Sequence, residues 1–263
     1  MCRYQSYYTE NPNPTNYCVV AGQVSGDMYF LEYLDTEKTM VRRETSSGAQ
    51  VWGVYIHINL DLKAFAALSD ESEIIYTGYP TGYYTIIRIN AANGAIIQRL
   101  ETNVYESYKD WMQNVPTSDN TAIYSSAYVL GGTEPVICKL VLGSLNINCF
   151  TATGMSNGNA AFTLISNTEL FNIWLKSDGS TNLIFQRLTW GSTTPSWSKE
   201  VGCPDGSSCS FGYSHVIMSA DSTQVYTLTA FGQTRHAYLI VVDAATGDVV
   251  HINTPLILKS SVQ

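Results

Sequence analysis

Positive charge is scarce in this chain of 263 residues, in which 14 Lys and Arg stand against 22 Asp and Glu, for a net charge of -8 at pH 7. Charged residues make up only 14% of the chain, whereas hydrophobic residues make up 45%. An acidic chain is repelled by phosphate backbones, so we predict no nucleic-acid partner. No apolar run reaches the ~18 residues of a membrane-crossing helix, so we predict a soluble chain without membrane insertion.

Patterns that bind metals or nucleotides are also missing. The four histidines, at positions 57, 215, 236 and 251, have neither the His-x-x-x-His nor the His-Glu-x-x-His spacing of zinc sites. The chain contains no Gly-x-Gly-x-x-Gly and no Walker loop. We therefore predict no catalytic residue, no metal and no cofactor, which favours a non-enzymatic protein.

Cysteine is present six times, and no two cysteines form a Cys-x-x-Cys pair. An even number of cysteines without metal-binding spacing is typical of an oxidising compartment, so we predict a secreted or cell-surface protein. The polar, Tyr-rich start does not resemble a signal peptide, and we expect that a leader was removed or that the true beginning lies upstream. Of the 15 pairings that six cysteines allow, we predict three local ones: Cys2 with Cys18, Cys138 with Cys149, and Cys203 with Cys209.

The middle pair has a geometric reason. Cys138 and Cys149 lie at equal distances from Gly143-Ser144, so a turn there places them opposite each other on adjacent strands. Opposed Cα atoms in a hydrogen-bonded antiparallel pair are about 5.5 Å apart, which a disulfide can bridge.

An internal repeat of about 50 residues runs along the chain. In four places a Ser followed closely by Asp or Asn precedes an apolar residue and an aromatic one, and these turns begin at Ser69, Ser118, Ser166 and Ser219. A second apolar strand follows each time and runs into a tight turn, as in Asn90-Ala-Ala-Asn-Gly94 and Asp243-Ala-Ala-Thr-Gly247. Glycine supplies the positive φ that such turns require, and a further strand comes after it.

Four short antiparallel strands per repeat predict a β-propeller, in which each blade buries its faces against its neighbours. We predict one all-β domain over residues 1–254 with five four-stranded blades, at about 1–47, 48–103, 104–153, 154–204 and 205–254. The segment 50–59 is an extra strand or an insertion, and it could raise the number of blades to six. A two-sheet β-sandwich is the alternative fold.

The two segments Ile86-Ile-Arg-Ile-Asn-Ala-Ala-Asn-Gly94 and Leu239-Ile-Val-Val-Asp-Ala-Ala-Thr-Gly247 resemble the quinoprotein-like and YVTN-type β-propellers. The resemblance extends over all the repeats and implies the propeller architecture. It implies no activity, because no quinone-binding residues can be carried over to this sequence.

Two acidic residues are candidates for a binding site at the mouth of a propeller channel. Asp61 and Asp110 both lie eight positions before a turn serine, so they are equivalent in the repeat. Paired carboxylates can bind a cation or act as the acid and base of a glycosidase. The alternative, which we favour, is that they cap strand ends, because the next repeats have Gly158 and Phe211 at this position.

Residues 255–263 form a strand-like tail whose apolar part is Leu256, Ile257 and Leu258. It could close the ring, lie on an edge or pair with another molecule, which makes it a candidate assembly segment. Low charge, cysteine pairs and many aromatics favour a subunit of a filament, surface appendage or matrix, with self-association, other extracellular proteins or glycans as partners. The alternatives are a secreted lectin, in which aromatic rings stack on sugars, and a propeller glycosidase.

Overall fold

The computed structural model of the chain describes residues 2–3, 17–35, 38–57, 63–78, 84–102, 114–128, 135–144, 146–151, 161–176, 182–192, 194–202, 211–231, 236–253 and 256–257. Twenty-two β-strands are present in this part of the chain, which confirms the predicted all-β class. The described residues include no helix that is long and apolar enough to cross a membrane.

The strands form five antiparallel sheets, and in each sheet neighbouring strands follow chain order. The first sheet contains β1 (Cys2–Arg3), β2 (Tyr17–Ala21), β3 (Met28–Asp35), β4 (Lys38–Glu44) and β5 (Gln50–His57). The second contains β6 (Lys63–Ala67), β7 (Glu73–Gly78), β8 (Tyr84–Asn90) and β9 (Ile96–Thr102). The third contains β10 (Asn114–Pro116), β11 (Ala122–Tyr128), β12 (Pro135–Val141) and β13 (Asn146–Thr151).

The last two sheets follow the same plan. The fourth contains β14 (Ala161–Leu164), β15 (Glu169–Leu175), β16 (Leu183–Thr189) and β17 (Trp197–Val201). The fifth contains β18 (Phe211–Met218), β19 (Gln224–Phe231), β20 (His236–Asp243) and β21 (Val249–Ile252), and β22 (Leu256–Ile257) also pairs with β20. Five separate sheets of four-stranded type confirm the blade architecture and do not fit a two-sheet sandwich.

The sequence predicts an extra strand or an insertion at residues 50–59, and the described part of this segment belongs to the first sheet. β5 pairs with β4 in antiparallel register, so Gln50–His57 is the outer strand of this sheet and does not begin another one. The first sheet therefore extends to residue 57, beyond the boundary expected near residue 47. The limits of the domain as a whole stay a prediction.

The Ser-Asp turns hold the β-hairpins in the predicted way. In the fifth sheet the Asp221 carboxylate accepts hydrogen bonds from the Ser219 hydroxyl, at 2.6 Å, and from the Thr223 backbone N–H, at 3.1 Å. These bonds, with the Ser219 bond the largest contribution, lower the pKa of Asp221 to about 2. The residue after each turn Asp adopts a positive φ, at Glu71, Asn120 and Ser222. Short polar side chains thus fix the turn where the backbone leaves the ordinary strand region.

The described residues divide into two compact units, 1–125 with 139–148 and 126–138 with 149–263. In the first unit, one face of the first sheet packs on the second sheet through Tyr29, Leu31 and Val41 against Ile74, Tyr76 and Ile89. In the second unit, one face of the fourth sheet packs on the fifth through Phe171, Ile173 and Phe185 against Val225, Ile240 and Val242. Each core is thus a layer of apolar side chains between two consecutive sheets.

One predicted disulfide is present among the described residues. Cys138 and Cys149 are bonded, with their Cα atoms 4.0 Å apart. This separation is nearer to the ~4.5 Å of a non-hydrogen-bonded strand pair than to the spacing we expected. Cys2 and Cys18 are directly opposite each other in the β1–β2 register, and the bond between them stays a prediction. Cys203 and Cys209 lie outside the described residues.

Candidate functional site

The structure places the predicted site residues as follows. Asp61, Asp110 and Leu258 lie outside the described residues. Leu256 and Ile257 form β22, which pairs with Ala237 and His236 of β20. Leu256 and Ile257 therefore lie in the fifth sheet, and the role of the tail in assembly stays a prediction.

Two further patterns bear on chemistry. The segment Gly154-Met-Ser-Asn-Gly158 matches the Gly-x-Ser-x-Gly pattern of hydrolases and also lies outside the described residues. That pattern acts at a strand-to-helix turn, whereas here the flanking elements are the strands β13 and β14. Within the described ranges, no three His, Cys, Asp or Glu residues come together in a way that could hold a metal ion.

A recurring contact joins one sheet to the turn of the next. In the first sheet, Arg43 on β4 and Trp52 on β5 are register partners. Both donate hydrogen bonds to the Ala91 carbonyl oxygen in the turn of the second sheet, at 3.0 and 2.9 Å. The indole of Trp52 covers Gly94 of this turn, where φ is +75° and a Cβ atom would lie 2.8 Å from the ring. We call this arrangement of arginine, aromatic donor, carbonyl and glycine a turn clasp.

The fourth and fifth sheets repeat the turn clasp. Arg187 and Trp197 are again register partners on the last two strands of the sheet. Their side chains donate to the Ala244 carbonyl oxygen, at 3.2 and 3.3 Å. Trp197 covers Gly247, where φ is +78° and a Cβ atom would lie 2.5 Å from the ring. The turns 90–94 and 243–247, which the sequence predicts as hairpin turns, are thus also the points where the side chains of one sheet bind the next sheet.

A carboxylate orients each clasp arginine. Arg187 forms an ion pair with Glu169 at 2.8 Å, and Arg43 forms one with Asp27 at 2.7 Å. In the second sheet Arg88 pairs with Glu73 at 2.6 Å and donates to the Leu142 carbonyl oxygen. Its register partner is Gln98, so this sheet has the cation of the clasp without the indole.

Replacing Arg187 by alanine is expected to lower the free energy of unfolding by about 2 kcal/mol. The change removes a partly buried charge-assisted pair and leaves the Ala244 carbonyl without this donor. Urea unfolding followed by tryptophan fluorescence measures the difference.

The matched control for this variant is Arg99→Ala. Arg99 pairs with Glu101, but both side chains are about half exposed, at 48% and 46%. Surface ion pairs contribute little, so the loss should stay below about 0.5 kcal/mol. Equal losses in the two variants would contradict a special role for the clasp arginine.

A second contact links the first two sheets at their first turns. The Glu71 carboxylate accepts hydrogen bonds from the backbone N–H groups of Val24 and Ser25, at 2.5 and 2.8 Å. Partial burial opposes ionisation, but the bonds from Ser25 and Val24 outweigh it and hold the pKa of Glu71 below its usual value. A Cβ atom at Gly22 would lie 2.5 Å from the carboxylate, so the Glu71 side chain would have to shift to make room for it.

The fifth sheet lacks the clasp arginine. We call the face that carries the clasp residues, or their register equivalents, the front face of a sheet. At the arginine position the fifth sheet has Val241, and at the tryptophan position it has His251. The register partner of Val241 on β19 is Tyr226, which in turn pairs with Ile217 on β18. One row across the front face therefore reads Ile217, Tyr226, Val241 and His251.

This front face is exposed in part, since Val241 is buried at 6% and Tyr226 is half-buried. Ile217 is 63% exposed and Leu228, in the next row, is 36% exposed. His251 is exposed as well. The opposite face of the same sheet is buried in the core of the second unit, with Val225 and Ile240 fully enclosed. Ile217 and Leu228 thus place apolar side chains in contact with solvent on the front face, while the other face of the sheet is covered.

Comparison with solved structures supports the fold. The chain is similar to TolB from Acinetobacter baumannii, with a TM-score of 0.58 and 15% identity over 89% of this chain and 54% of that one. It is also similar to hydrazine synthase of Kuenenia stuttgartiensis, with a TM-score of 0.60 and 11% identity over 97% of this chain and 70% of that one. A third similarity is to a nidogen/laminin complex, with a TM-score of 0.54 and 14% identity over 90% of this chain and 79% of that one.

These likenesses define the class of the protein. The fold is that of the β-propeller proteins, as the sequence predicts. The chain spans about half the length of the TolB chain it matches. No protein-family model and no curated protein matches the sequence. At these identities the likeness shows the fold alone, since propellers serve many unrelated functions.

Sequence reasoning missed the front face of the fifth sheet. The signal was present in the two repeat turns, because aligning Asn90-Ala91 with Asp243-Ala244 places Val241 against Arg88. A missing cation at one copy of a repeated contact distinguishes that copy from the others. The exposure of Ile217 was not readable in this way, because an alternating apolar strand looks the same whether one or both of its faces are covered.

Proposed function

We propose that this chain is a non-enzymatic structural subunit of an extracellular assembly and that it binds other protein molecules through the front face of the fifth sheet. The single observation that carries the proposal is the exposure of apolar side chains on this face, with Ile217 63% and Leu228 36% exposed. Burying such a surface against a partner is favourable because apolar area leaves water.

The electrostatics of the face agree with a protein partner. The row of Ile217, Tyr226, Val241 and His251 contains no carboxylate and no permanent cation, unlike the equivalent rows with Arg43, Arg88 and Arg187. Interface centres are depleted of charged residues and enriched in apolar and aromatic ones. Sugar and phosphate ligands, by contrast, require convergent polar groups.

The Cys138–Cys149 bond supports the proposed compartment. A disulfide between strands persists where the environment is oxidising, so the bond is consistent with an extracellular location. An assembly outside the cell also gains from covalent links within its subunits, since they limit unfolding.

The test is the assembly state of the native protein, measured by light scattering and negative-stain microscopy under non-reducing conditions. We expect the unaltered chain to form higher assemblies as its concentration rises. The variant Ile217→Asp should weaken association at least about 30-fold, because it buries an unpaired carboxylate in the contact. A chain that stays monomeric at all accessible concentrations would overturn the proposal.

A matched control keeps this test specific. Ile97 is 49% exposed on the outer strand of the second sheet, so Ile97→Asp makes the same chemical change outside the proposed surface. It should leave assembly unchanged. Far-ultraviolet circular dichroism of both variants checks that the sheets are intact.

A further inference from the structure

We propose that the outer edge of the first sheet is a dimerisation surface, at which β5 pairs with β5 of a second copy in antiparallel register around Val54. The proposal goes beyond the function proposed above, because it concerns a different sheet and depends only on residues of the first unit. A contact of this kind is isologous, since the same strand lies on both sides of a two-fold axis.

The outer backbone edge of β5 has no neighbour among the described strands. β5 is the last strand of the first sheet, and only β4 pairs with it. Because hydrogen bonds alternate along an antiparallel strand, every second residue of β5 directs its N–H and C=O groups away from β4. Such an edge is a template for a further strand, and main-chain hydrogen bonds supply the affinity.

β5 lacks most of the features that protect the edge of a sheet. Charged side chains, proline, bulges and short length are the usual protections. Gln50–His57 is eight residues long and contains no Lys, Arg, Asp, Glu or Pro. Its one bulge lies at the start, opposite the step from Arg43 to Glu44, and the register with β4 is regular from Trp52 to His57.

The last strands of the other four sheets are better protected. β9 carries Arg99 and Glu101, and β17 carries Lys199 and Glu200. β21 has only four residues and a bulge in its register with β20. β13 is uncharged, but the side chains exposed at its start are asparagines, which gain little by leaving water. A long apolar edge is thus specific to the first sheet.

The sequence of β5 is complementary to itself in the proposed register. With Val54 on the two-fold axis, Gly53 lies opposite Tyr55 of the second copy, and Trp52 lies opposite Ile56 of the second copy. Gly53 is exposed, and Tyr55 on the same face is 56% exposed. A glycine leaves a gap on the surface of a strand, and an aromatic ring on the opposed strand covers such a gap. Opposed aromatic and β-branched side chains also stabilise a sheet.

This self-complementarity assigns the occupant of the edge. The two-fold axis gives each Gly53 one Tyr55 ring, so both exposed positions find a partner in a second copy of the chain. The pairing joins the two first sheets into one sheet of ten strands, five from each copy. It uses no residue of the fifth sheet and can therefore be tested separately from the function proposed above.

Cysteine crosslinking tests the pairing and its register. Full-length chains with Gly53→Cys are mixed with full-length chains with Tyr55→Cys under mild oxidation. The atom nearest to a Cβ atom at Gly53 is Nε2 of the Gln50 side chain, at 3.2 Å, and this flexible side chain can move aside. Opposed Cα atoms on antiparallel strands are about 4.5 to 5.5 Å apart, which a disulfide can bridge.

We expect linked dimers to be at least about tenfold more abundant in the mixture than in either variant alone, where the two cysteines lie diagonally and too far apart. After digestion with trypsin, the product is the peptide 44–63 with one exchange joined to the peptide 44–63 with the other. Since each chain has only one of the exchanges, this product forms only between two copies.

The matched control is the pair Ser198→Cys and Glu200→Cys on β17. These positions have the same spacing, lie on the last strand of the fourth sheet and are exposed. Their mixture should give linked dimers only at the level of chance collisions. Equal yields from the mixed and the single β5 variants, or a β5 yield no higher than that of the β17 pair, would overturn the proposal.

Sedimentation velocity in the Ile217→Asp background is the second measurement, because this background removes the association proposed for the fifth sheet. We expect dimers, and Tyr55→Asp should weaken them at least about tenfold, since each dimer contains the exchange twice. Ile97→Asp, at a 49% exposed position of β9, should leave them unchanged. Monomers at all concentrations in this background overturn the β5 pair alone. Dimers in an unaltered chain that forms nothing larger overturn the function proposed above and leave the β5 pair.

Discussion

Replacing Gly247 by alanine is expected to lower the free energy of unfolding by roughly 3 to 4 kcal/mol. The left-handed backbone at φ +78° costs a residue with a Cβ atom about 1 to 2 kcal/mol. The new methyl group would also lie 2.5 Å from the Trp197 ring, which must move out of the clasp. Forcing a packed side chain aside costs a further ~1 to 3 kcal/mol. Urea unfolding monitored by fluorescence and circular dichroism measures the total.

The chain contains a control for the backbone contribution. Gly191 has φ +83°, but no atom lies within 4 Å of the position of its Cβ atom. The variant Gly191→Ala should therefore lose only about 1 to 2 kcal/mol, from the backbone alone. If Gly247→Ala and Gly191→Ala lose equal amounts, the ring of Trp197 does not hold the turn of the fifth sheet.

Removing the Cys138–Cys149 bond with the double variant Cys138→Ala/Cys149→Ala is expected to cost about 3 kcal/mol. The bond closes a loop with a sequence separation of 11, so it removes conformations from the unfolded chain while it holds β12 to β13. The measurement is again the free energy of unfolding in urea. The variant is compared with the unaltered protein in its oxidised form.

Reduction supplies the control for the disulfide. The unaltered protein and the double variant should unfold at the same urea concentration when both are treated with dithiothreitol, because neither then contains the Cys138–Cys149 bond or any other disulfide. Mass spectrometry after alkylation of the native protein should find Cys138 and Cys149 unmodified. Alkylated thiols at these two positions would contradict the pairing.

The predictions for Gly247→Ala and for the Cys138–Cys149 bond depend on structural features, of which only some could be predicted from the sequence. The Cys138–Cys149 bond followed from symmetric spacing about a turn, since two strands of equal length bring such residues face to face. The glycine turns followed from the Asn-Ala-Ala-Asn-Gly pattern and its counterpart, since few other residues tolerate positive φ. The indole of Trp197 above Gly247 did not follow from the sequence, because 50 residues separate the two along the chain.

The candidate site likewise could be predicted from the sequence only in part. Asp61 and Asp110 were chosen by their equivalence in the repeat, and they lie outside the described residues. His251 was set aside as a scattered histidine, yet the register places it where two other sheets carry tryptophan. A bulge of one extra residue at β20–β21 shifts that register, and periodicity in the sequence does not locate such a bulge.

The all-β class, the repeat of about 50 residues, the turn chemistry and one disulfide could be predicted from the amino-acid sequence alone. Each of these depends on local preferences: β-branched and aromatic residues favour strands, and Ser, Asp and Gly favour particular turns. Three features required the folded structure: which sheet face is covered, which tryptophan lies over which glycine, and the exposure of Ile217 on the front face of the fifth sheet. The physical reason is that burial depends on contacts between residues far apart in the chain, and an alternating apolar strand has the same pattern with or without a neighbour on its second face.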